Sequence, residues 1–135
     1  MSERPVLEID GADFDDLEGF ARAFSSLLED WTWNQNLDAF NDILRGGFGT
    51  PDGGFILRWR NADRSREVLG RDETVRYLER KLERCHTSNR AAVSADLEAA
   101  RRGEGETLFD LIVEIIRVHG PGGSEAEDGV ELELL

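Results

Sequence analysis

The sequence predicts an α/β protein: a small parallel three-stranded sheet packed with helices, carrying an extra helical insertion. Three observations lead there. Short aliphatic runs stand at Val6–Gly11, Phe55–Arg60 and Val130–Leu135, each suited to a strand. Segments of helical periodicity separate them, and strands joined by helical crossovers favour a parallel sheet. The chain is 135 residues long and 39% hydrophobic, enough for one domain to bury a core, so residues 1–135 are expected to form a single domain.

The elements follow in order. Val6-Leu7-Glu8-Ile9-Asp10-Gly11 is short, aliphatic and closed by glycine. Asp13 is placed to cap the next helix, and Asp15, Asp16 and Glu18 suit its positive end. Leu17, Phe20, Ala21, Phe24, Leu27 and Leu28 repeat at helical spacing and form one apolar face. Gly19 costs this helix about 1 kcal/mol relative to alanine, so packing must hold it. After Trp31-Thr32-Trp33, Asn34 or Asn36 is placed to cap a second helix. Its Leu37, Phe40 and Leu44 face inward, while Asp38, Asn41, Asp42 and Arg45 share the opposite face. Gly46 and Gly47 stop it, and Gly49 to Gly54 reads as a turn. In the second strand Leu57 and Trp59 lie on one face.

Ser65 to Arg102 is rich in charge and reads as two helices broken near His86 to Asn89. One stripe is Val75, Leu78, Leu82 and Cys85; the other is Val93, Leu97 and Ala100. Gly103 and Gly105 mark the exit. Thr107 then begins Leu108–Gly120, whose polar Asp110, Glu114 and Arg117 form one narrow stripe. Length favours a helix over a strand there. Pro121 to Gly129 is an acidic loop before the last strand.

Charge is unevenly spread over a net −13. Up to Leu57 there are 3 basic and 12 acidic residues; from Arg58 to Arg102, 12 basic and 8 acidic; from Gly103 onward, 1 basic and 9 acidic. Acidic ends repel phosphate backbones and hasten encounters with cationic partners. They also simply keep a small protein in solution. The arginines from Arg71 to Arg84 alternate with glutamates and aspartates, so self-pairing along the helix explains them without nucleic acid. No apolar run reaches membrane-spanning length, and no basic-then-apolar leader opens the chain. With a lone cysteine, Cys85, this predicts the reducing cytoplasm.

Catalytic signatures are missing. Gly46-Gly47-Phe48-Gly49 lacks the Lys-Ser/Thr of a phosphate loop and follows a helix. Cys85 and His86 are adjacent and His119 is the only other histidine, so no zinc ligand set follows. Cys85 is read as a packing residue, with a nucleophilic role left as the rival. Among 29 carboxylates, spacing singles out no catalytic dyad.

The stretch Asn36-Leu37-Asp38-Ala39-Phe40-Asn41-Asp42-Ile43-Leu44 resembles the barstar family of intracellular inhibitors of secreted microbial ribonucleases. The resemblance extends to the first strand, the helix from Asp13 to Asp30, the Ile56-Leu57-Arg58-Trp59-Arg60 strand with its Trp-Arg end, and the last helix and strand. It implies a barstar-like fold, from which a helical insertion at about 70–105 is the larger departure. It also implies an intracellular, immunity-type protein inhibitor of a ribonuclease in a bacterial cytoplasm. Such a protein is not an enzyme and needs no cofactor or metal. Its partner is a basic extracellular-type ribonuclease or a toxin nuclease, not nucleic acid or a membrane. The family lays its second helix and the preceding loop across the nuclease active site. By that likeness Asp42 stands where an RNA phosphate would bind. Trp31, Thr32, Trp33, Asn34, Asn36, Asp38 and Arg45 fall on or beside the contact face, and Glu114 is a flanking acidic contact. Thr32, Asn34 and Asn41 depart from the family pattern, and Trp31 and Trp33 suit either a binding anchor or the core. Two other readings stand beside inhibition: a barstar-fold binding or regulatory module that no longer binds a nuclease, and a small enzyme. Oligomeric state is left open.

Overall fold

A computed structural model describes residues 4–28, 37–46, 49–51 and 53–135, without the side chain of Asp38. Three parallel strands form one sheet: β1 (Val6–Asp10), β2 (Phe55–Arg60) and β3 (Val130–Leu134), in spatial order β1-β2-β3. Helices α1 (Leu17–Ser25) and α2 (Leu37–Arg45) lie between β1 and β2 in the chain. Helices α3 (Ala62–Val68), α4 (Arg71–Arg84), α5 (Arg90–Arg101) and α6 (Leu108–Val118) lie between β2 and β3.

The register explains why the sheet has one dry face. Leu7, Leu57 and Leu132 align across the strands, as do Ile9, Trp59 and Leu134. Alternation along β2 then buries Phe55, Leu57 and Trp59 on one side. Glu8, Arg58 and Glu133 share a register position on the other side, where Arg58 reaches Glu133 at 3.1 Å and Glu8 at 4.0 Å. Most parallel sheets are covered on both faces. Here a charged ladder serves on the second.

Aromatic rings dominate the dry face. Phe20 stacks on Trp59 with centroids 5.1 Å apart, Phe24 meets Phe40 edge-on at 4.9 Å, and Phe109 tilts against Trp59 at 5.2 Å. Phe40 belongs to α2, so this core pins that helix from beneath. The indole Nε1–H of Trp59 donates to the hydroxyl of buried Ser65 at 2.9 Å. Gly11 leaves room for that hydroxyl: a Cβ there would sit 2.3 Å from Ser65 Oγ.

Several expectations shift by local chemistry. Helix α1 starts at Leu17, not after Asp13, because Asp16 accepts the Gly19 N–H at 2.8 Å and Glu73 accepts the Leu17 N–H at 2.7 Å. Asp13 ends a preceding 3-10 turn. The helix closes at Ser25 in turns through Leu28, short of Asp30. The charged middle forms three helices rather than two. Helix α3 starts directly after β2 through Asn61, whose φ is +53°. It buries Ala62 and Ser65 and shows no apolar stripe for periodicity to find.

Helices α4 and α5 are the two expected helices; they form a hairpin joined by a 3-10 turn at Thr87–Asn89. Leu78, Leu97 and Ala100 make a small core of their own. The base of α4 ties the hairpin to the body. Thr74 donates to the Gly70 carbonyl at 2.7 Å and accepts the Leu108 N–H at 2.8 Å, while Glu73 holds α1. Cys85 follows the last residue of α4, half-buried, with its thiol 3.6 Å from the Leu82 carbonyl. Helix α6 is capped by Thr107 and Asp110 in a reciprocal capping box.

Candidate functional site

Helix α2 places the candidate face. Phe40, Ile43 and Leu44 are buried beneath it, which turns Asp42 outward with its side chain 58% exposed. One turn on, Gly46 takes a φ of +107° and ends the helix.

Asp42 is not isolated. Arg45 Nη1 donates to Asp42 Oδ1 at 2.7 Å. The other edge of the same guanidinium forks onto Glu125: Nε to Oε1 at 2.8 Å and Nη2 to Oε2 at 3.2 Å. The hydrogen bond from Arg45 holds the Glu125 carboxyl below the usual carboxylate range, and Glu125 in turn raises the Arg45 guanidinium above its ordinary value. Arg45 thus bridges a helix carboxylate and a loop carboxylate 80 residues away.

Asn41 departs from the expected outer face. It is half-buried and its Oδ1 lies 2.7 Å from Nε2 of His119. His119 is fully buried at the end of α6, and its Nδ1 lies 2.7 Å from Asp128 Oδ2. His119, Glu125 and Asp128 each offer an atom within 4.8 Å of the others, a grouping that spacing did not anticipate. Its donors are already engaged with Asn41, Arg45 and one another, and the Arg45 cation opposes a metal ion. Beside it lies a shallow depression of about 240 Å³ between Leu44, Arg45, Pro51, Phe55, Glu127 and Asp128.

The other sequence-derived candidates scatter. Trp31, Thr32, Trp33, Asn34 and Asn36 lie outside the described residues; Asp38 is in α2 by its backbone, and nothing further is described of it. Glu114 is exposed on α6 and faces Glu106. The hydrogen bond and repulsion from Glu114 raise the Glu106 carboxyl above its ordinary value. Sequence reasoning missed Glu125, Asp128 and His119. Their role depends on contacts spanning 78 and 80 residues, for which local spacing carries no signal.

The fold and site together define a class: a small parallel α/β protein that presents a charged helix beside its sheet. Within that class the chain belongs to the barstar family. The family model, described as Barstar (barnase inhibitor), matches residues 4–98. The match runs from β1 into α5 and leaves α6, β3 and the acidic loop outside it. No curated protein and no solved structure matches the chain. The family is one of ribonuclease inhibitors, which points to a nuclease as the general kind of partner.

Proposed function

We propose that this protein is a stoichiometric, immunity-type inhibitor of a basic ribonuclease or toxin nuclease in the cytoplasm, with no catalysis of its own. A ribonuclease must hold phosphate with Arg, Lys and His side chains. A carboxylate on a rigid helix offers those donors the acceptors they would find on RNA, through charge-assisted hydrogen bonds. Asp42 is that carboxylate in this reading. Trp31, Thr32, Trp33, Asn34, Asn36 and Asp38 would line the rest of the contact, with Glu114 at its flank.

The observation that carries the reading is Asp42 itself: exposed, and anchored from beneath by Phe40, Ile43 and Leu44 within a family of nuclease inhibitors. The acidic N-terminal segment agrees with a cationic partner. One observation favours the second reading, a barstar-fold module that no longer binds a nuclease. Arg45 already donates to Asp42, so binding must displace or share that contact.

The test is inhibition of a barnase-like ribonuclease by the parent protein and by Asp42→Ala, at low and high salt. Truncating one partner of a buried charge pair costs roughly 2–5 kcal/mol, or roughly thirtyfold to several thousandfold in affinity. That range is borrowed in part from the barnase–barstar pair, the family's namesake. Tight, salt-sensitive inhibition lost in the variant supports the reading. An Asp42→Ala protein as potent as the parent would sink it.

A further inference from the structure

His119 is buried at the junction of α6 and β3. Its carbonyl accepts the Val130 N–H at 2.8 Å, and its own N–H donates to Ile116 at 3.1 Å. Its backbone is therefore fixed to the centre of the fold. The ring spans outward from there. Nδ1 meets Asp128 and Nε2 meets Asn41, both at 2.7 Å. An ionised carboxylate only accepts, so Nδ1 is the nitrogen that donates. The asparagine amide has both an acceptor and a donor. By a half-turn it can meet Nε2 with or without a proton, so the contact survives either state of the ring.

A second tie lies one turn further along α2, where Arg45 forks onto Glu125. Residues 41 and 45 are gripped, and Asp42 projects between them. Helix α2 has nine residues, too few to hold its own conformation in water. Asn41 lies within the family match, whereas His119, Glu125 and Asp128 lie beyond it. The brace therefore joins the family's helix to a segment supplied by this chain's C-terminal part.

We propose that His119 is a positioning residue for the binding face: through Asn41 it fixes the rotation of α2, so that Asp42 is ordered before a partner arrives. Order established on folding need not be acquired at the interface. The consequence for affinity rests on the inhibitor reading; the effect on α2 itself does not.

Two variants test it, with backbone amide exchange along α2 compared with α1 and α6, and with inhibition of the barnase-like ribonuclease alongside. Asn41→Ala removes the contact at a half-buried position. Exchange should rise roughly tenfold in α2 and stay unchanged in α1 and α6, the size expected for one hydrogen bond. Asn41→Asp keeps the shape but can only accept, so Nε2 must carry a proton. The ring would then lie between the carboxylates of residues 41 and 128, with Glu125 close by from the loop and Arg45 and Asp42 on α2. Protection of α2 in this variant should match the parent in acid, where the ring carries a proton on both nitrogens, and fall as pH rises and Nε2 loses its proton. The parent should stay flat. Inhibition should follow protection in both variants. Unchanged α2 exchange in Asn41→Ala, or an Asn41→Asp profile as flat as the parent's, would overturn the proposal. A parent protein that fails to inhibit would count against the inhibitor reading alone, because amide exchange still reports the brace.

Discussion

Single polar atoms decide how the aromatic core is seated. Trp59 fills the centre of the sheet's dry face, and its one N–H finds the hydroxyl of Ser65, both residues being fully buried. Ser65 comes from α3, a helix that adds little apolar surface of its own. Its contribution is a hydrogen bond and a close approach beneath Gly11. Ser65→Ala leaves the indole N–H buried and unpaired. An unsatisfied buried donor costs roughly 1–3 kcal/mol, so the midpoint of urea unfolding should fall with little change in slope. A midpoint equal to the parent's would mean that the ring finds another acceptor. Charge-rich α3 escaped sequence reading for the same reason: a buried serine carries no hydrophobic periodicity.

At the level of elements, the α4–α5 hairpin is attached by its base. Glu73 and Thr74 are buried in the first turn of α4. The first caps α1 and the second caps α6. Arg76 at 2.8 Å accompanies the Glu73 charge, and that pairing raises the Arg76 guanidinium above its ordinary value. The hairpin thus helps define where two core helices begin, although most of its length packs on its own small core. Thr74→Val keeps the shape and removes the acceptor for the Leu108 N–H. The expected loss is roughly 1–3 kcal/mol, with amide exchange in the first turn of α6 rising before that of α1. Equal loss of protection in both helices would instead show that the body unfolds as one unit. The hairpin was legible as two charged amphipathic segments broken near His86. Its attachment was not, because Glu73 and Thr74 look like ordinary first-turn polar residues.

Across the whole molecule, the excess of carboxylates is managed unevenly. Cations hold down some of them, as Arg45 does Glu125. Others face each other. Glu106 and Glu114 share a hydrogen bond that raises the Glu106 carboxyl, so the folded chain keeps that proton to higher pH than the unfolded chain does. The stabilising contribution is complete below the ordinary glutamate value, about 4.3. It is lost as pH rises through the higher folded value. When both groups are ionised they repel one another. Glu106→Gln removes that repulsion while keeping a hydrogen-bonding side chain. Its Tm should exceed the parent's slightly at about pH 7 and converge with it at about pH 4, where the carboxyl is already protonated. A gain that persisted in acid would point away from titration of this pair. The same acidic field should make association with a cationic nuclease faster at low salt.

Residue order alone was enough for the strands, the apolar face of α1, the inward Phe40 and Leu44, and α6 between its cap and Gly120. These depend on periodicity and on turn residues within a few positions of one another, which a sequence displays directly. The outward placement of Asp42 follows from the same periodicity. What surrounds Asp42 was settled by folding. Arg45 is turned onto Glu125, Asn41 is drawn inward to His119, and Asp16 with Glu73 rather than Asp13 begins α1. Each is a choice among near-equivalent polar side chains, made by a neighbour that is distant in sequence and adjacent only once the sheet has closed.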